Sequence, residues 1–226
     1  MQKDIHPLGK FFWIFCAKDS VCDTISILSL AERRLYSMRV ISGSAKGRPL
    51  KAVPGMGTRP TTDKVKEAVF SMIGPYFEGG QVLDLFAGTG GLSIEALSRG
   101  MDRAVLTDVD KKAIDTIRHN LQATGLTERA EVYRNDAMRA LKALSKREAR
   151  FDLVFLDPPY KLKVIGELLE ELQQGGLLAD GAWIVVEHDA EDRHEGDFGE
   201  LEWLRRAEYG DTAITIYRTR VEGKEI

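Results

Sequence analysis

Between residues 82 and 186 short apolar runs alternate with helically spaced apolar residues, and this alternation narrows the fold more than any other feature of the 226-residue chain. Val82-Leu83-Asp84-Leu85-Phe86, Ala104-Val105-Leu106-Thr107, Ala130-Glu131-Val132-Tyr133, Phe151–Leu156 and Ala182–Val186 read as strands. Between them, Leu92–Leu97, the face Ala113, Ile114, Ile117 and Leu121, Ala137–Leu144, and the face Val164, Ile165, Leu168, Leu169 and Leu172 read as helices. Repeated βαβ units require a parallel sheet covered by helices on both faces. Leu201–Tyr209 and Ala213–Arg220 read as two more strands joined at the turn Gly210-Asp211. They add an antiparallel hairpin to the sheet.

Upstream, residues 39–54 read as a small β-hairpin around Ser42–Gly47. Val65, Ala68, Val69, Met72 and Ile73 predict an amphipathic helix over about 62–73. The expected division is a leader or disordered extension over 1–37, a hairpin-and-helix segment over 38–78, and an α/β domain over 79–226. For the first segment, translation starting at Met38 is one reading, because Glu32-Arg33-Arg34 can be encoded by the purine-rich GAA-AGG-AGG. A poorly ordered tail is the other.

Composition excludes several classes. With 43% hydrophobic and 30% charged residues the chain is neither disordered nor membrane-like, and no run approaches the roughly 20 apolar residues a span needs. Cys16 and Cys22 are the only cysteines, which fits a reducing, cytoplasmic setting without a structural disulfide or a zinc site. A net charge of −3 means that any nucleic-acid contact must be a local basic patch.

The first strand-to-helix turn reads Asp84-Leu85-Phe86-Ala87-Gly88-Thr89-Gly90-Gly91. Ligands of such sheets bind beyond the carboxyl ends of the strands, where strand order reverses. Gly88 and Gly90 let the backbone approach a ligand closely. A dinucleotide fingerprint would place a third glycine at Ser93, and the carboxylate of Asp84 would repel a pyrophosphate. The spacing favours S-adenosyl-L-methionine instead, with Asp84 toward its amino acid end. Phe86 is counted with the loop. Asp108, about 20 residues on, suits the ribose hydroxyls. Asp136 suits the adenine amine and could equally cap a helix, as Asp110 is expected to do. The fold class is then α/β, the class I S-adenosylmethionine-dependent methyltransferase type: a Rossmann-like, seven-stranded, mostly parallel sheet with a C-terminal antiparallel hairpin.

The sharpest signal is Asp157-Pro158-Pro159-Tyr160 at the end of the fourth strand. Prolines cannot donate to a sheet, so they turn the chain out and leave carbonyls to accept. Asp157 and the Pro158 carbonyl can accept from one exocyclic NH₂ of a base and aim its lone pair at a methyl donor. Tyr160 can stack on that base.

The chain resembles the RsmD family of 16S rRNA guanine-N2 methyltransferases. The likeness rests on Met38–Arg48, on Thr58–Phe70, on the Asp84–Gly91 loop and on Asp157–Tyr160. It implies a bacterial enzyme that methylates one guanine of 16S rRNA, within an assembling small subunit or free, acting as a monomer without membrane or metal. It also implies that Arg59 to Thr62 close over the cofactor, so Arg59 and Thr61 are assigned to cofactor binding. Independently, Arg39, Lys46, Arg48, Lys51, Arg59, Lys64 and Lys66 face only Asp63 in that stretch, a basic patch suited to phosphates. Arg39, Lys46, Arg48, Lys51 and Pro159 are assigned to RNA. Three rivals are a DNA adenine-N6 methyltransferase, a release-factor glutamine methyltransferase, and a non-catalytic RNA-binding assembly factor. Glu187-His188 reads as a satisfied polar pair, His194 as part of a solvated loop, His119 as surface, and Trp183 and Trp203 as core.

Overall fold

The computed structural model describes residues 38–55, 63–159 and 162–220. All belong to one compact unit, Met38–Ile226. The expectations for 1–37, Arg59, Thr61 and Tyr160 lie outside the described residues.

Five helices and seven strands occur among the described residues: α1 (Asp63–Ile73), β1 (Gln81–Asp84), α2 (Gly91–Ser98), β2 (Arg103–Asp108), α3 (Lys111–Thr124), β3 (Ala130–Arg134), α4 (Ala137–Ser145), β4 (Phe151–Leu156), α5 (Ile165–Gln174), β5 (Leu178–Asp189), β6 (Leu201–Tyr209) and β7 (Thr212–Thr219). The sheet order is β3-β2-β1-β4-β5-β7-β6. Strands β1 to β5 pair in parallel, and β7 runs antiparallel between β5 and β6. This is the class I methyltransferase arrangement expected from the sequence. Strand order reverses at β1, between β2 and β4, which locates the ligand end of the sheet.

The helices bury their apolar faces on opposite sides of the sheet. Val69, Phe70, Ile94, Leu97, Ile114, Ile117 and Leu121 share one cluster with Val82, Leu106 and Phe155. Leu141, Leu144, Leu168, Leu169 and Leu172 share the other with Leu83, Val154 and Ile184. Central β4 is buried at every position except Asp152, as a strand covered on both faces must be. Asp110 caps α3 by accepting from the Lys112 amide, and Gly125, at φ 74°, ends it.

The expected N-terminal hairpin narrows to one antiparallel bridge, Arg39 to Pro49. Around that bridge the Val40 amide donates to the Arg48 carbonyl (2.9 Å), the Gly47 amide to the Val40 carbonyl (2.8 Å) and the Leu50 amide to the Met38 carbonyl (2.7 Å), and the turn between them is bound to α2. Buried Glu95 accepts from the amides of Ile41 (2.7 Å) and Ser42 (2.9 Å). The Ser44 amide donates to the Ser98 carbonyl at 2.8 Å, and the Ala45 amide to the Ser98 hydroxyl at 2.9 Å. Gly43 makes this approach possible. It has φ 83°, and a methyl there would stand 1.8 Å from the Ser98 carbonyl oxygen. Gly43→Ala should therefore destabilise the unit by about 2–4 kcal/mol, read as a lower urea midpoint. An unchanged midpoint would mean that the segment is not seated on α2.

Strand β5 is longer than Ala182–Val186. It begins at Leu178, passes an irregularity in its pairing with β4, and runs to Asp189 because β7 pairs with it from Trp183 to Asp189.

Candidate active site

The carboxyl ends of β1, β2, β3 and β4 each deliver an acidic side chain: Asp84, Asp108, Asp136 and Asp157. At β1, Asp84 is 3% exposed and accepts from the Ser93 hydroxyl at 2.9 Å. Ser93, where a dinucleotide fold would carry glycine, thus anchors the first carboxylate of the loop. Burial pushes the Asp84 pKa up to about 7, the Ser93 hydrogen bond opposes that rise, and the charges of Asp157 and Asp108 add to it.

The two loop glycines serve different ends. Gly88, at φ 52°, borders open space, its nearest non-neighbouring atom for an added methyl being 4.0 Å away. Its amide donates to Asp108 at 2.9 Å. Gly90, at φ 74°, faces inward, and a methyl there would lie 3.2 Å from Leu106. Gly88 therefore leaves open space beside its backbone, while Gly90 lets α2 start close against the sheet. Phe86 is half-buried against the α4–α5 side core. Asp108 also accepts from the Asp110 amide at 2.9 Å, so each of its oxygens already holds one backbone donor and keeps acceptor capacity. Val109 beside it is 61% exposed, an apolar face at the same strand end. Asp136 caps α4, accepting from the Arg139 amide at 3.3 Å, and remains exposed.

At β4 the register pairs Leu156 with Val186 of β5, so Asp157 and Glu187 follow side by side. Pro158 is buried and Pro159 exposed. The Pro159 carbonyl accepts from the Leu162 amide at 2.9 Å, closing a turn just past the corner. Lys163, at φ 45°, adopts a left-handed backbone there, a conformation that costs a residue with a side chain on the order of 1 kcal/mol and recurs at functional sites. Burial pushes Asp157 up to about 6. A cavity of about 140 Å³ opens against Pro158 and Pro159, walled on its far side by His188 and His194.

Sequence reasoning missed this far wall. His188 is satisfied, its ring nitrogens 2.8 Å from the Asp189 carbonyl and the Thr215 hydroxyl. His194 is not fully solvated: its loop is exposed at Glu191, Arg193 and Glu195, but its own side chain is half-buried. Its ring lies 4.7 Å from that of His188, edge to face, because the Tyr217 hydroxyl donates to its carbonyl and draws the segment in. Glu187 is not a satisfied partner of His188 either, since its Oε2 is buried and has no hydrogen-bond partner. Both lie beside β7, which the sequence shows as a strand but whose pairing with β5 from Trp183 to Asp189 no local pattern reveals.

The basic segment divides as well. Lys46, Arg48 and Lys51 are exposed, with Arg48 donating to the Ala123 carbonyl at 3.2 Å. Buried Asn120 bonds both Lys51 backbone groups (2.8 and 3.0 Å) and the Thr89 carbonyl (2.9 Å), tying this segment to the glycine loop. Arg39 is exposed but paired with Asp63 at 2.9 Å. Lys66 leaves the patch altogether: it is 2% exposed, donates to the Arg39 carbonyl, and burial pulls its pKa down.

Buried Asp84 and half-buried Asp157 and Glu187 gather at the switch in strand order, and the charge of Asp157 raises the affinity of both others for a proton. The carboxyl of Asp84, at the start of the glycine loop, suits a ligand bearing positive charge and disfavours phosphates. The α-ammonium and sulfonium of S-adenosylmethionine meet that requirement, and the open backbone at Gly88 meets the steric one. Among the described residues, no group of three or more His, Cys, Asp or Glu is placed to hold a metal, and no helix is long and apolar enough to cross a membrane.

The family described as "Conserved hypothetical protein 95" matches residues 38–218. YlbH of Bacillus subtilis is 55% identical over 183 residues, 81% of this chain and 100% of that protein. Ribosomal RNA small subunit methyltransferase D of Escherichia coli K12 is 33% identical over 187 residues, 83% of this chain and 92% of that protein. The solved structure of yhhF from Escherichia coli superposes with a TM-score of 0.70 at 34% identity, covering 82% of this chain and 99% of that one. With the Asp84–Gly91 loop and the Asp157–Pro159 corner at the switch point of a class I sheet, the chain belongs to this family, the RsmD methyltransferases.

Proposed function

We propose that this chain transfers a methyl group to the exocyclic N2 of a specific guanine in 16S rRNA. It would act as a cytoplasmic monomer on the small subunit during assembly. The observation that carries the reading is the Asp157-Pro158 corner, set beside buried Asp84 at the reversal of strand order.

S-adenosyl-L-methionine supplies an electrophilic methyl group on a sulfonium. Asp84, Gly88 and Asp108 hold this donor, with Phe86 and Gly90 shaping the loop and Asp136 at the third strand end. Val109 offers an apolar surface to a planar ring. Arg59 and Thr61 are proposed to close over it as part of a lid spanning 38–78.

The guanine amine is a weak nucleophile, because its lone pair is delocalised into the ring. Asp157 and the Pro158 carbonyl accept from its two N–H bonds, favour a pyramidal nitrogen, and direct the lone pair toward the methyl carbon. The cost of desolvating Asp157 has already been met by folding, so the acceptor is preorganised. Tyr160 is proposed to stack on the base and Pro159 to border it. Lys46, Arg48, Lys51 and, less freely, Arg39 meet phosphates and set register without reading sequence. A guanine in a hairpin loop must turn out of its stack to reach the corner.

The test is mass mapping of methylated guanines in rRNA from a strain lacking the gene. One N2-methylguanine of 16S rRNA should disappear and return on complementation with the wild-type gene. An unchanged 16S map with a lost methyl mark on DNA adenine or on a protein glutamine would overturn the reading.

A further inference from the structure

We propose that Glu187 is a positioning residue for methyl transfer: it holds a proton, donates it in a hydrogen bond to Asp157, and so keeps Asp157 a single, fixed anion facing the target amine. This deepens the reading above and rests on it.

Three observations carry the inference. First, β4 and β5 are paired in register up to Leu156 and Val186, so Asp157 and Glu187 leave neighbouring strands at equivalent positions. Paired positions in a parallel sheet project to the same face, on strands about 4.8 Å apart. Second, both side chains line one cavity of about 10 Å³, too small for more than about a single water. Third, Glu187 Oε2 is buried without a partner, a costly arrangement that native proteins keep mainly where it serves function.

The surroundings decide the protonation state. From α1, α2 and β7 the cavity receives Val69, Leu92 and Ile214, none of them ionisable. The charged group acting on Glu187 among the described residues is Asp157, whose charge also acts on Asp84. Burial first, and the charge of Asp157 second, push Glu187 up to about 8, while Asp157 is pushed up to about 6. Two carboxyls in this state hold one shared proton near neutral pH, as adjacent carboxylates do elsewhere. The proton resides on Glu187, and Asp157 remains the acceptor.

The balance of the transfer step follows. Guanine N2 forms a bond to the methyl carbon, and the carbon–sulfur electron pair leaves with the neutral thioether. The nitrogen then returns an N–H pair to itself, and that proton passes to Asp157. Above the Glu187 pKa a second negative charge lies beside Asp157, and the fixed geometry is lost.

The test uses wild type, Glu187→Ala, Glu187→Gln and Asp157→Ala, each first shown to be folded by its thermal transition. Glu187→Ala should lower single-turnover methylation of undermethylated 16S rRNA about 10²-fold, the scale of a misplaced acceptor. S-adenosylmethionine affinity by calorimetry should stay within about threefold. Glutamine retains an N–H donor, so Glu187→Gln should recover the rate to within about tenfold of wild type. It should also lack the fall in rate that wild type shows above about pH 8. Independently of activity, infrared spectra of the ligand-free protein at pH 7 should show a protonated carboxyl band that Glu187→Gln removes. Absence of that band in wild type overturns the proposal, whatever the activity. Full activity of Glu187→Ala beside a dead Asp157→Ala also overturns it and leaves the function standing. A wild type that methylates no guanine refutes the function, and the infrared band then still decides the state of Glu187.

Discussion

Asp157→Ala is expected to lower methyl transfer to rRNA by at least about 10³-fold while shifting S-adenosylmethionine affinity by less than about threefold. One preorganised hydrogen-bonding group in a water-excluded site contributes roughly 10² to 10³ to rate. In the proposed mechanism Asp157 both accepts from the amine and receives its proton, which places the expected loss at or above the top of that range. Cofactor affinity should hold because the loop contacts at Gly88 and Asp108 are independent of Asp157. Stability should hold or rise. The substitution removes a buried carboxylate that raises the pKa values of Asp84 and Glu187, so less charge is crowded at the floor of the site. Asp157→Asn keeps a carbonyl oxygen as acceptor and should fall between wild type and alanine. Single-turnover rates with calorimetry on the same preparations check all of this, and sustained turnover by Asp157→Ala would end the assignment.

The largest stability effect is expected at Glu95, which looks unremarkable in the sequence. Its carboxylate is completely buried and binds the amides of Ile41 and Ser42 and the Arg99 Nε, the last at 2.7 Å. Arg99 is 7% exposed, lies 4.7 Å over the Phe70 ring, and donates to the Pro75 carbonyl at 2.9 Å. Glu95→Ala strands a buried guanidinium and two half-buried amides together. Breaking a buried pair by deleting one partner costs about 3–5 kcal/mol, and the orphaned amides add to that. Against a typical total of roughly 5–15 kcal/mol, this brings the unit close to unfolding near body temperature. Urea denaturation should show the midpoint collapse. Glu95→Gln, which replaces one acceptor oxygen by a donor facing another donor, should lie in between. A wild-type midpoint for Glu95→Ala would show that α2 does not hold the N-terminal segment in this way.

The parts legible in advance share a physical origin. Strand β4 could be read from Phe151–Leu156 because a strand covered on both faces must be apolar throughout. The corner after it could be read because two prolines cannot continue a ladder. Asp110 as the cap of α3 follows from the offset of a short acceptor from a helical face. Asp84 and Gly88 follow from what a ligand loop needs. Errors arose wherever a residue's partner comes from far along the chain. The stretch 39–54 makes hairpin contacts, but the amides of Ile41, Ser42, Ser44 and Ala45 at its turn go to Glu95 and Ser98, over 50 residues away. Lys66 counts as surface charge in any window, but α1 turns it inward to the Arg39 carbonyl.

Local periodicity and side-chain chemistry by themselves determined the alternation of strands and helices, the ligand end of the sheet and the diproline corner after β4, since each depends on residues within about one turn or one strand. Tertiary packing alone decided which charges remain available. It paired Arg39, buried Lys66, and set Glu187 without a hydrogen-bond partner for Oε2 beside Asp157. Protonation and exposure depend on desolvation and on charges brought together by β5 and β7, and no spacing in a single chain encodes that.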